Sequence, residues 1–249
     1  MLDMALWDVA AKIEGTPLWR ILSERYNEDR HHDLVPVYAT GGHYYPDGDL
    51  EALREEIRGY TDQGYERIKI KCGQGDLADD CSRIEAALSV LDGDGSRLAV
   101  DVNCMCSTSG DTQKMADAYS PYGLSWIEEP GHPHDFELLK ALTDYYEGAI
   151  ATGENLFSMS ETYNLLIYGG LRGDRDLIQV DPALSYGMVE YANILLTFFC
   201  FNALRLPTVI ETIERIMRRS IHISVIGARP NKNNLIQTHN PATFGAKAM

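Results

Sequence analysis

The sequence predicts an α/β protein built as a (β/α) barrel, and three observations lead to this prediction. Short apolar runs alternate with stretches of helical spacing from residue 35 onward, a pattern that indicates parallel strands joined by helices. Five charged residues lie at the ends of successive apolar runs, at intervals of 26 to 30 residues. This interval is the length of one strand-plus-helix unit in a barrel of about 250 residues. The chain has 249 residues, which is enough for one such domain.

Three segments follow from this pattern. Residues 1–34 are predicted to form a helical segment that leads into the barrel, residues 35–195 to form βα units, and residues 196–249 to form an atypical tail. The first segment opens directly in a helical pattern that ends at Gly15, and Thr16 and Pro17 are predicted to cap and begin a second helix. Because a globular domain rarely begins inside a helical pattern, we expect the chain to lack a preceding part.

The βα segment contains six predicted strands and six predicted helices. The strands are VPVYAT, ERIKIK, RLAVDV, LSWIEE, AIATGE and DLIQVD. The first helix is predicted to be capped by Asp49 and to bury Leu53 and Ile57 on one face. The later helices are predicted near 76–91, 111–119, 135–146, 158–168 and 185–196.

The five evenly spaced charged residues are Lys71, Asp101, Glu128, Glu154 and Asp181. Because the carboxyl ends of all barrel strands meet at one face, we expect these side chains to converge there. Three carboxylates from adjacent strands suit a hard divalent cation such as Mg²⁺, which prefers oxygen ligands. The order of one lysine followed by acidic residues therefore predicts a metal site with a base beside it.

The alternation of side chains along a strand places Lys69 and Lys71 on one face and the isoleucines between them on the other. Asp101 and Asn103 share a face in the same way. Lys71 is a candidate base, because a neighbouring cation such as Lys69 lowers the pKa of an ammonium group. A single acidic residue at a strand end is more often a helix cap, and a Lys-x-Lys strand is most often a solvated edge. The ordered set at constant spacing favours a site over a barrel of unrelated function.

These residues carry a resemblance to a known family. The segments KIK, VDVN, WIEEP, GEN and VD, in this order, resemble the enolase superfamily in its mandelate racemase and muconate lactonizing branch. The opening LDMALWDVAAKIEGTPLWRIL resembles the helices that lead into the barrel of that family. More narrowly, VYATGGHYYP, ATGENLFSM and DPALSYGMVEY resemble the D-tartrate dehydratase group. The resemblance covers residues 1 to about 195.

The resemblance implies roles for the metal and base residues. Asp101, Glu128 and Glu154 would bind Mg²⁺. Lys71 would abstract the α-proton of a small carboxylate substrate to give a metal-stabilised enediolate. Lys69 would tune that lysine and contact the substrate carboxylate.

The resemblance also implies a second half of the site. Asn103 would support the metal site, and Asp181 would pair with a histidine on the following strand. That histidine would protonate the departing β-hydroxyl, so the expected activity is a Mg²⁺-dependent dehydratase (a lyase) acting on an acid sugar or a hydroxy-dicarboxylate of the D-tartrate type. A racemase, an epimerase or a cycloisomerase on the same scaffold is the nearest alternative. A non-catalytic remnant that still binds metal is another.

The expected histidine segment does not follow Asp181. His222 and His239 stand in surroundings that do not match the family, and His132 and His134 are predicted to be surface residues of a loop. The charge balance also changes sign near this point, since residues 1–192 carry 35 acidic and 15 basic side chains whereas residues 193–249 carry 2 and 7. We therefore hypothesise that the tail is frameshifted or rearranged. We expect a barrel that is incomplete at its C-terminal end and lacks the N-terminal α+β capping domain of the family.

Composition limits the remaining choices. The net charge of −15 argues against nucleic acid as a partner, and no apolar run is long enough for a transmembrane helix. The five cysteines form an odd, scattered set without a signal-like N-terminus, so we expect reduced thiols in a cytoplasmic protein. Open strand edges and the habit of the resembled family lead us to expect a homo-oligomer.

Overall fold

The computed structural model describes residues 2–31, 34–45, 50–205 and 235–237. Helices and strands alternate through most of this range, as the sequence predicts. The helices are α1 Leu2–Glu14, α2 Leu18–Tyr26, α3 Leu50–Asp62, α4 Leu77–Leu88, α5 Ser109–Tyr119, α6 Phe136–Tyr145, α7 Met159–Tyr168 and α8 Met188–Arg205. The strands are β1 Leu34–Pro36, β2 Ala39–Gly41, β3 Ile68–Lys71, β4 Leu98–Asp101, β5 Ile127–Glu128, β6 Ile150–Thr152, β7 Leu177–Ile178 and β8 Leu235–Gln237.

Six strands form one parallel sheet in the order β2-β3-β4-β5-β6-β7, which is also their order along the chain. Each strand therefore pairs with the strand of the preceding unit and that of the following unit, and a helix connects each pair from β2 to β7. A parallel α/β sheet with this connectivity confirms the predicted alternation. Strands β1 and β8 form a separate antiparallel pair, in which Val35 lies opposite Ile236.

The buried face of the sheet follows the alternation of its side chains. Ile68 and Ile70 are 1% and 0% exposed and belong to the main apolar core. Helix residues such as Leu53, Ile57 and Leu142 are 0% exposed in the same core. Because these isoleucines pack against the helices, Lys69 and Lys71 are directed to the opposite face of the sheet.

Three sequence predictions need correction. The predicted strand VPVYAT is divided between β1 and β2, which belong to different sheets, because the proline at position 36 cannot donate to a continuous ladder. Pro17 occupies the cap position of α2 rather than its first turn. Helix α8 continues to Arg205 instead of ending near residue 196. The predicted cap Asp49 lies outside the described residues.

Side-chain caps fix where two of the helices begin. Asp76 accepts hydrogen bonds from the backbone N–H groups of Ala78 and Asp79 and forms a reciprocal capping box at the start of α4. Ser158 and Glu161 form the same arrangement at the start of α7. These caps hold the loops that follow β3 and β6, where the charged residues lie.

Two smaller findings bear on the sequence predictions. Cys72, Cys81, Cys104 and Cys106 are free thiols, as expected of a reduced protein. Within the described ranges, none of the helices combines the length and the apolar character needed to cross a membrane.

Candidate active site

Charged side chains lie in one row across three neighbouring strands. The register aligns Lys71 of β3 with Asp101 of β4, and Asp101 with Glu128 of β5. All three residues end their strands, so they stand at the carboxyl edge of the sheet. Asp101 is 2% exposed and Glu128 is 0% exposed. Buried charges at this edge require partners, and the lysines supply them.

Lys71 lies between Asp101 and Asn103. Its ammonium group pairs with the carboxylate of Asp101 and donates to Asn103 Oδ1 at 3.2 Å. The backbone N–H of Asn103 donates to the other carboxylate oxygen of Asp101 at 3.0 Å. Asn103 reaches this position with φ of 48°, in the left-handed region that asparagine tolerates better than most residues. The predicted face shared by Asp101 and Asn103 is therefore present, and it holds Lys71.

Lys69 is buried deeper in the same face. Its ammonium group pairs with Glu128, lies 3.9 Å from Asp101 Oδ2 and faces the ring of Tyr38 at 5.7 Å. Burial lowers the pKa of Lys69, but Glu128, Tyr38 and Asp101 together raise it by more, so the pKa lies above its ordinary value. The raised pKa favours the charged form of Lys69, and its role toward Lys71 stays a prediction.

Glu128 is held on both carboxylate oxygens. Trp126 Nε1 and Gln179 Nε2 donate to Oε2 at 3.1 Å and 2.8 Å, and Lys69 donates to Oε1. The side-chain amide oxygen of Gln179, Oε1, is buried without a hydrogen-bond partner among the described residues. An unpaired buried acceptor of this kind is costly, and it lies beside a carboxylate that three donors already fix in place.

Glu129 is a site residue that the sequence analysis missed. It is 2% exposed with φ of 48°, and its carboxylate accepts from Thr152 Oγ1 at 2.7 Å and from Gly153 N at 3.1 Å. Burial raises the pKa of Glu129 above its ordinary value, although these hydrogen bonds oppose the shift. The left-handed φ breaks the alternation of the strand, so Glu128 and Glu129 can both turn toward the interior and a period-2 pattern cannot reveal the second one.

Glu154 completes the acidic group. It follows Gly153, whose φ of 113° suits glycine and where a Cβ atom would lie 2.7 Å from the carbonyl oxygen of Gln179. Burial raises the pKa of Glu154, and the negative charges of Glu128 and Asp101 raise it further. Negative charge thus outweighs positive charge around this carboxylate.

The charges of the site do not balance. Four carboxylates, those of Asp101, Glu128, Glu129 and Glu154, face the two ammonium groups of Lys69 and Lys71. With every group in its charged form this set has a formal excess of two negative charges, and its oxygens are the ligands that Mg²⁺ prefers. The donor set and its charge therefore fit one divalent cation.

The carboxylates do not converge on one point, because the lysines lie among them. In the part of the chain that the structure describes, no group of three or more His, Cys, Asp or Glu side chains is arranged to hold a metal ion. The positive charges next to these carboxylates are instead the ammonium groups of Lys69, which pairs with Glu128, and Lys71, which pairs with Asp101. The predicted ligands Asp101, Glu128 and Glu154 are close enough to influence one another electrostatically.

Asp181 follows β7, and the candidate histidines lie in a loop or outside the described residues. The carboxylate of Asp181 accepts from Ala183 N at 2.6 Å within its own turn, three residues beyond the end of β7. His132 and His134 are exposed, as predicted for surface residues. The two remaining candidates for the acid, His222 and His239, lie outside the described residues.

The fold and the charged row together define a parallel α/β domain with a lysine–carboxylate site at the carboxyl edge of its sheet. Residues 52–244 match the family model described as enolase C-terminal domain-like. The chain belongs to this family. The match confirms the resemblance to the enolase superfamily that the spaced motifs indicate.

Relatives within the superfamily are acid-sugar dehydratases and isomerases. The chain is 29% identical to the arabinonate dehydratase of Saccharolobus solfataricus, over 77% of this chain and 48% of the relative. It is 33% identical to the 3,6-anhydro-alpha-L-galactonate cycloisomerase of Streptomyces coelicolor, over 78% and 53% of the two chains. The structure of the L-talarate/galactarate dehydratase from Salmonella typhimurium LT2, liganded with Mg and L-lyxarohydroxamate, matches with a TM-score of 0.69 and 29% identity, over 80% and 48% of the two chains.

The chain spans about half the length of the curated relatives it matches. The sugar acids in the names of these relatives are arabinonate, talarate and galactarate, whereas the motifs quoted above suggest a D-tartrate-like substrate. The relatives thus share dehydration of sugar acids as a class, and their names do not single out D-tartrate.

Proposed function

We propose that this chain carries the magnesium and lysine part of an acid-sugar dehydratase site, on strands that form part of a (β/α) barrel. The observation that supports this most directly is the row of Lys71, Asp101 and Glu128, in register on three adjacent strands with Glu154 beside it. The excess of two negative charges calls for a divalent cation rather than for a further lysine. The six parallel strands in chain order fit the barrel of the family.

Asp101, Glu128 and Glu154 would hold the Mg²⁺ ion, and Asn103 would orient Asp101. When bound, the ion would neutralise the carboxylates that pair with the lysines and would draw a substrate carboxylate to this edge of the sheet. Glu129 is tied to Thr152 and Gly153, so its part is to hold the segment from which Glu154 projects.

Lys71 would act as the base. In its neutral form the Nζ lone pair takes the proton from the carbon next to the substrate carboxylate, and the C–H electron pair is delocalised into that carboxylate. Lys69 lies on the same face of β3 as Lys71 and is held by its pair with Glu128. Asn103 accepts from Lys71 at 3.2 Å, which fixes the direction of the amine.

Dehydration also needs an acid. The bond between the β-carbon and its hydroxyl breaks, the hydroxyl takes a proton and leaves as water, and the enol that remains becomes a 2-oxo acid. We propose that Asp181 serves this half of the reaction through a histidine. In the described ranges Asp181 has no histidine partner, so the proposal for this chain covers the metal and lysine part of the site.

The proposed substrate class is a small hydroxy-carboxylate or dicarboxylate. Arabinonate, galactarate and talarate represent the named relatives, and D-tartrate represents the narrower resemblance of the GGHYYP and GENLF segments. A second candidate is a racemase or epimerase that returns the proton instead of expelling the hydroxyl, because the L-Ala-D/L-Glu epimerase of Bacillus subtilis is 28% identical to this chain. Cytoplasmic location and homo-oligomeric assembly stay predictions.

The test is product analysis of the purified chain with a panel of these acids, in the presence of Mg²⁺ and of excess EDTA. Formation of a 2-oxo acid that requires Mg²⁺ is the expected result. Loss of optical rotation without a 2-oxo acid would favour the isomerase. Calorimetric binding of Mg²⁺ with no reaction and no α-proton exchange in D₂O would instead favour the non-catalytic remnant.

A further inference from the structure

Helix α4 carries two charged residues that are buried and that take no part in the proposed chemistry. Asp80 is 0% exposed and Arg83 is 5% exposed, and they lie one helical turn apart, facing the loop that follows β3. Arg83 and Asp80 pair with backbone groups rather than directly with each other. A buried charge is costly to maintain unless its hydrogen bonds are specific.

Arg83 binds the carboxyl ends of two strands. Its Nε donates to the carbonyl oxygen of Lys71 at 3.1 Å, and its Nη2 donates to the carbonyl oxygen of Gly42. The guanidinium also lies over the ring of Tyr44, 4.5 Å from its centroid. One side chain therefore links the end of β3 to the loop that follows β2.

Asp80 holds the same segment from its other side. One carboxylate oxygen accepts from Gly73 N at 2.8 Å, and the other accepts from Tyr119 OH at 2.8 Å. Gly73 has φ of 90°, and a Cβ atom at this position would lie 2.3 Å from the carbonyl oxygen of Val102. The backbone just beyond Lys71 thus has one conformation, and Asp80 and Arg83 hold both of its ends.

We propose that Asp80 and Arg83 are positioning residues for Lys71. They fix the Lys71 carbonyl and the Gly73 N–H, so that the side chain of Lys71 leaves β3 in the direction of Asp101 and Asn103. The inference rests on the proposed function for its catalytic meaning, whereas the placement of Lys71 can be measured independently of any activity.

The first test is structural and uses the full chain. Crystal structures of Arg83→Met and Arg83→Lys are compared with that of Arg172→Met, a matched control that removes a guanidinium bound to two backbone carbonyls at the opposite end of the sheet. In Arg83→Met we expect Lys71 Nζ to move away from Asp101 and Asn103, and in Arg83→Lys we expect partial return. A Lys71 side chain that keeps both contacts in Arg83→Met overturns the proposal.

A second variant covers the case in which Arg83→Met does not fold. Tyr119→Phe removes one hydrogen bond from Asp80 and leaves the packing nearly unchanged. The proposal is supported if Lys71 is displaced or adopts two conformations in Tyr119→Phe but not in Arg172→Met. It is overturned if Tyr119→Phe loses stability while Lys71 stays unchanged, because the network then only stabilises the fold.

The kinetic test separates this inference from the proposed function. If the wild-type chain exchanges an α-proton in D₂O, Arg83→Met should lower kcat by about 100-fold with little change in KM, because a displacement of about 1 Å has effects of that size. Arg83→Lys should recover part of the loss, and Arg172→Met should keep the wild-type kcat. Equal kcat values in Arg83→Met and wild type overturn the positioning role but leave the proposed function intact. A wild-type chain without exchange removes the proposed function, and the crystal structures then decide the placement of Lys71.

Discussion

The two ends of the parallel sheet differ in how their buried charges are compensated. At the carboxyl end, four carboxylates face two lysines, and Asn103, Cys104 and Glu129 adopt left-handed backbone angles of 48°, 61° and 48°. At the amino end, Arg172 and Asp176 form a pair in which the acid is 1% exposed. The carboxylates of the first end outnumber its lysines, whereas the buried acid of the second end is matched by one arginine.

The pair at the amino end is saturated with hydrogen bonds. Asp176 accepts from Ile150 N at 2.9 Å and from the backbone and side chain of Arg172. Arg172 also donates to the backbone carbonyls of Tyr146 and Gly148. It therefore ties together the segments that enter β6 and β7. The comparison teaches that the compensated pair at the amino end serves stability, whereas the carboxyl end is where we propose the reaction, as in barrels generally.

The largest expected effect tests the reactive end. Lys71→Ala should abolish α-proton exchange in D₂O while Mg²⁺ still binds, because the ligands remain and only the base is lost. General-base catalysis contributes about 10²–10⁴-fold to a rate, and the loss should fall in this range. Exchange is followed by NMR and Mg²⁺ binding by calorimetry.

The control for this variant is Lys140→Ala, which removes a lysine from an exposed pair on α6. It should exchange at the wild-type rate. If Lys71→Ala exchanged the α-proton at the wild-type rate, this lysine would not be the base. The proposed difference in reactivity between the two ends of the sheet would then be wrong.

The next effect tests the stable end. Arg172→Met leaves the carboxylate of Asp176 buried without its cation, and breaking such a pair costs about 3–5 kcal/mol. The free energy of unfolding from urea titration should fall by this amount, with α-proton exchange per folded molecule unchanged. A loss of less than about 1 kcal/mol would mean that solvent replaces the pair easily.

A smaller effect of opposite sign is expected at Glu154. Burial and the negative charges around it raise its pKa in the folded state, so ionisation destabilises the fold as pH rises above the ordinary carboxyl value of 4.5. Glu154→Gln removes this cost. In EDTA the variant should be more stable than wild type at pH 7 to 8, and the difference should vanish toward pH 4.

The melting temperature measures this effect, since about 1 kcal/mol shifts it by roughly 2–4 °C in a chain of this size. Added Mg²⁺ should raise the melting temperature of wild type and leave that of Glu154→Gln unchanged. A variant that is less stable than wild type at pH 8 would contradict the account of unbalanced charge.

The smallest effect is expected on the surface. Lys140 and Asp144 form an exposed pair one turn apart on α6, and such pairs contribute about 0.3–0.5 kcal/mol. Lys140→Ala should therefore change the free energy of unfolding by less than Glu154→Gln does. Urea titration of the two variants side by side gives the scale against which the other effects are judged.

The fold was predictable where periodicity carries the signal. Alternation identified β3 through Ile68 and Lys69, and helical spacing identified α3 through Leu53 and Ile57. The boundary between β1 and β2 was not predictable, because VPVYAT reads as one strand and the proline at position 36 is compatible with an edge as well as with a break. The length of α8 was missed because its apolar run has no capping signal near residue 196.

The residues of the charged row were predictable from the sequence, but their contacts were not. Constant spacing identified Lys71, Asp101 and Glu128, since spacing reports the repeat of the fold. Gln179 stands two residues before Asp181 on the same strand pattern, so alternation could have found it. Glu129 could not be found in this way, because its inward direction depends on a left-handed backbone angle that no local pattern announces.

The order of the sheet has a consequence for how the chain reaches its fold. Every pairing from β2 to β7 joins consecutive units, so each new strand can be added after closing a loop of only one unit. The pairing of β1 with β8 joins residues about 200 positions apart. Its closure costs more conformational entropy than any neighbouring step, since that cost grows with the logarithm of loop length. During synthesis from the N-terminus, the strands that carry the charged row would thus pair first. The pairing of β1 with β8 would form last.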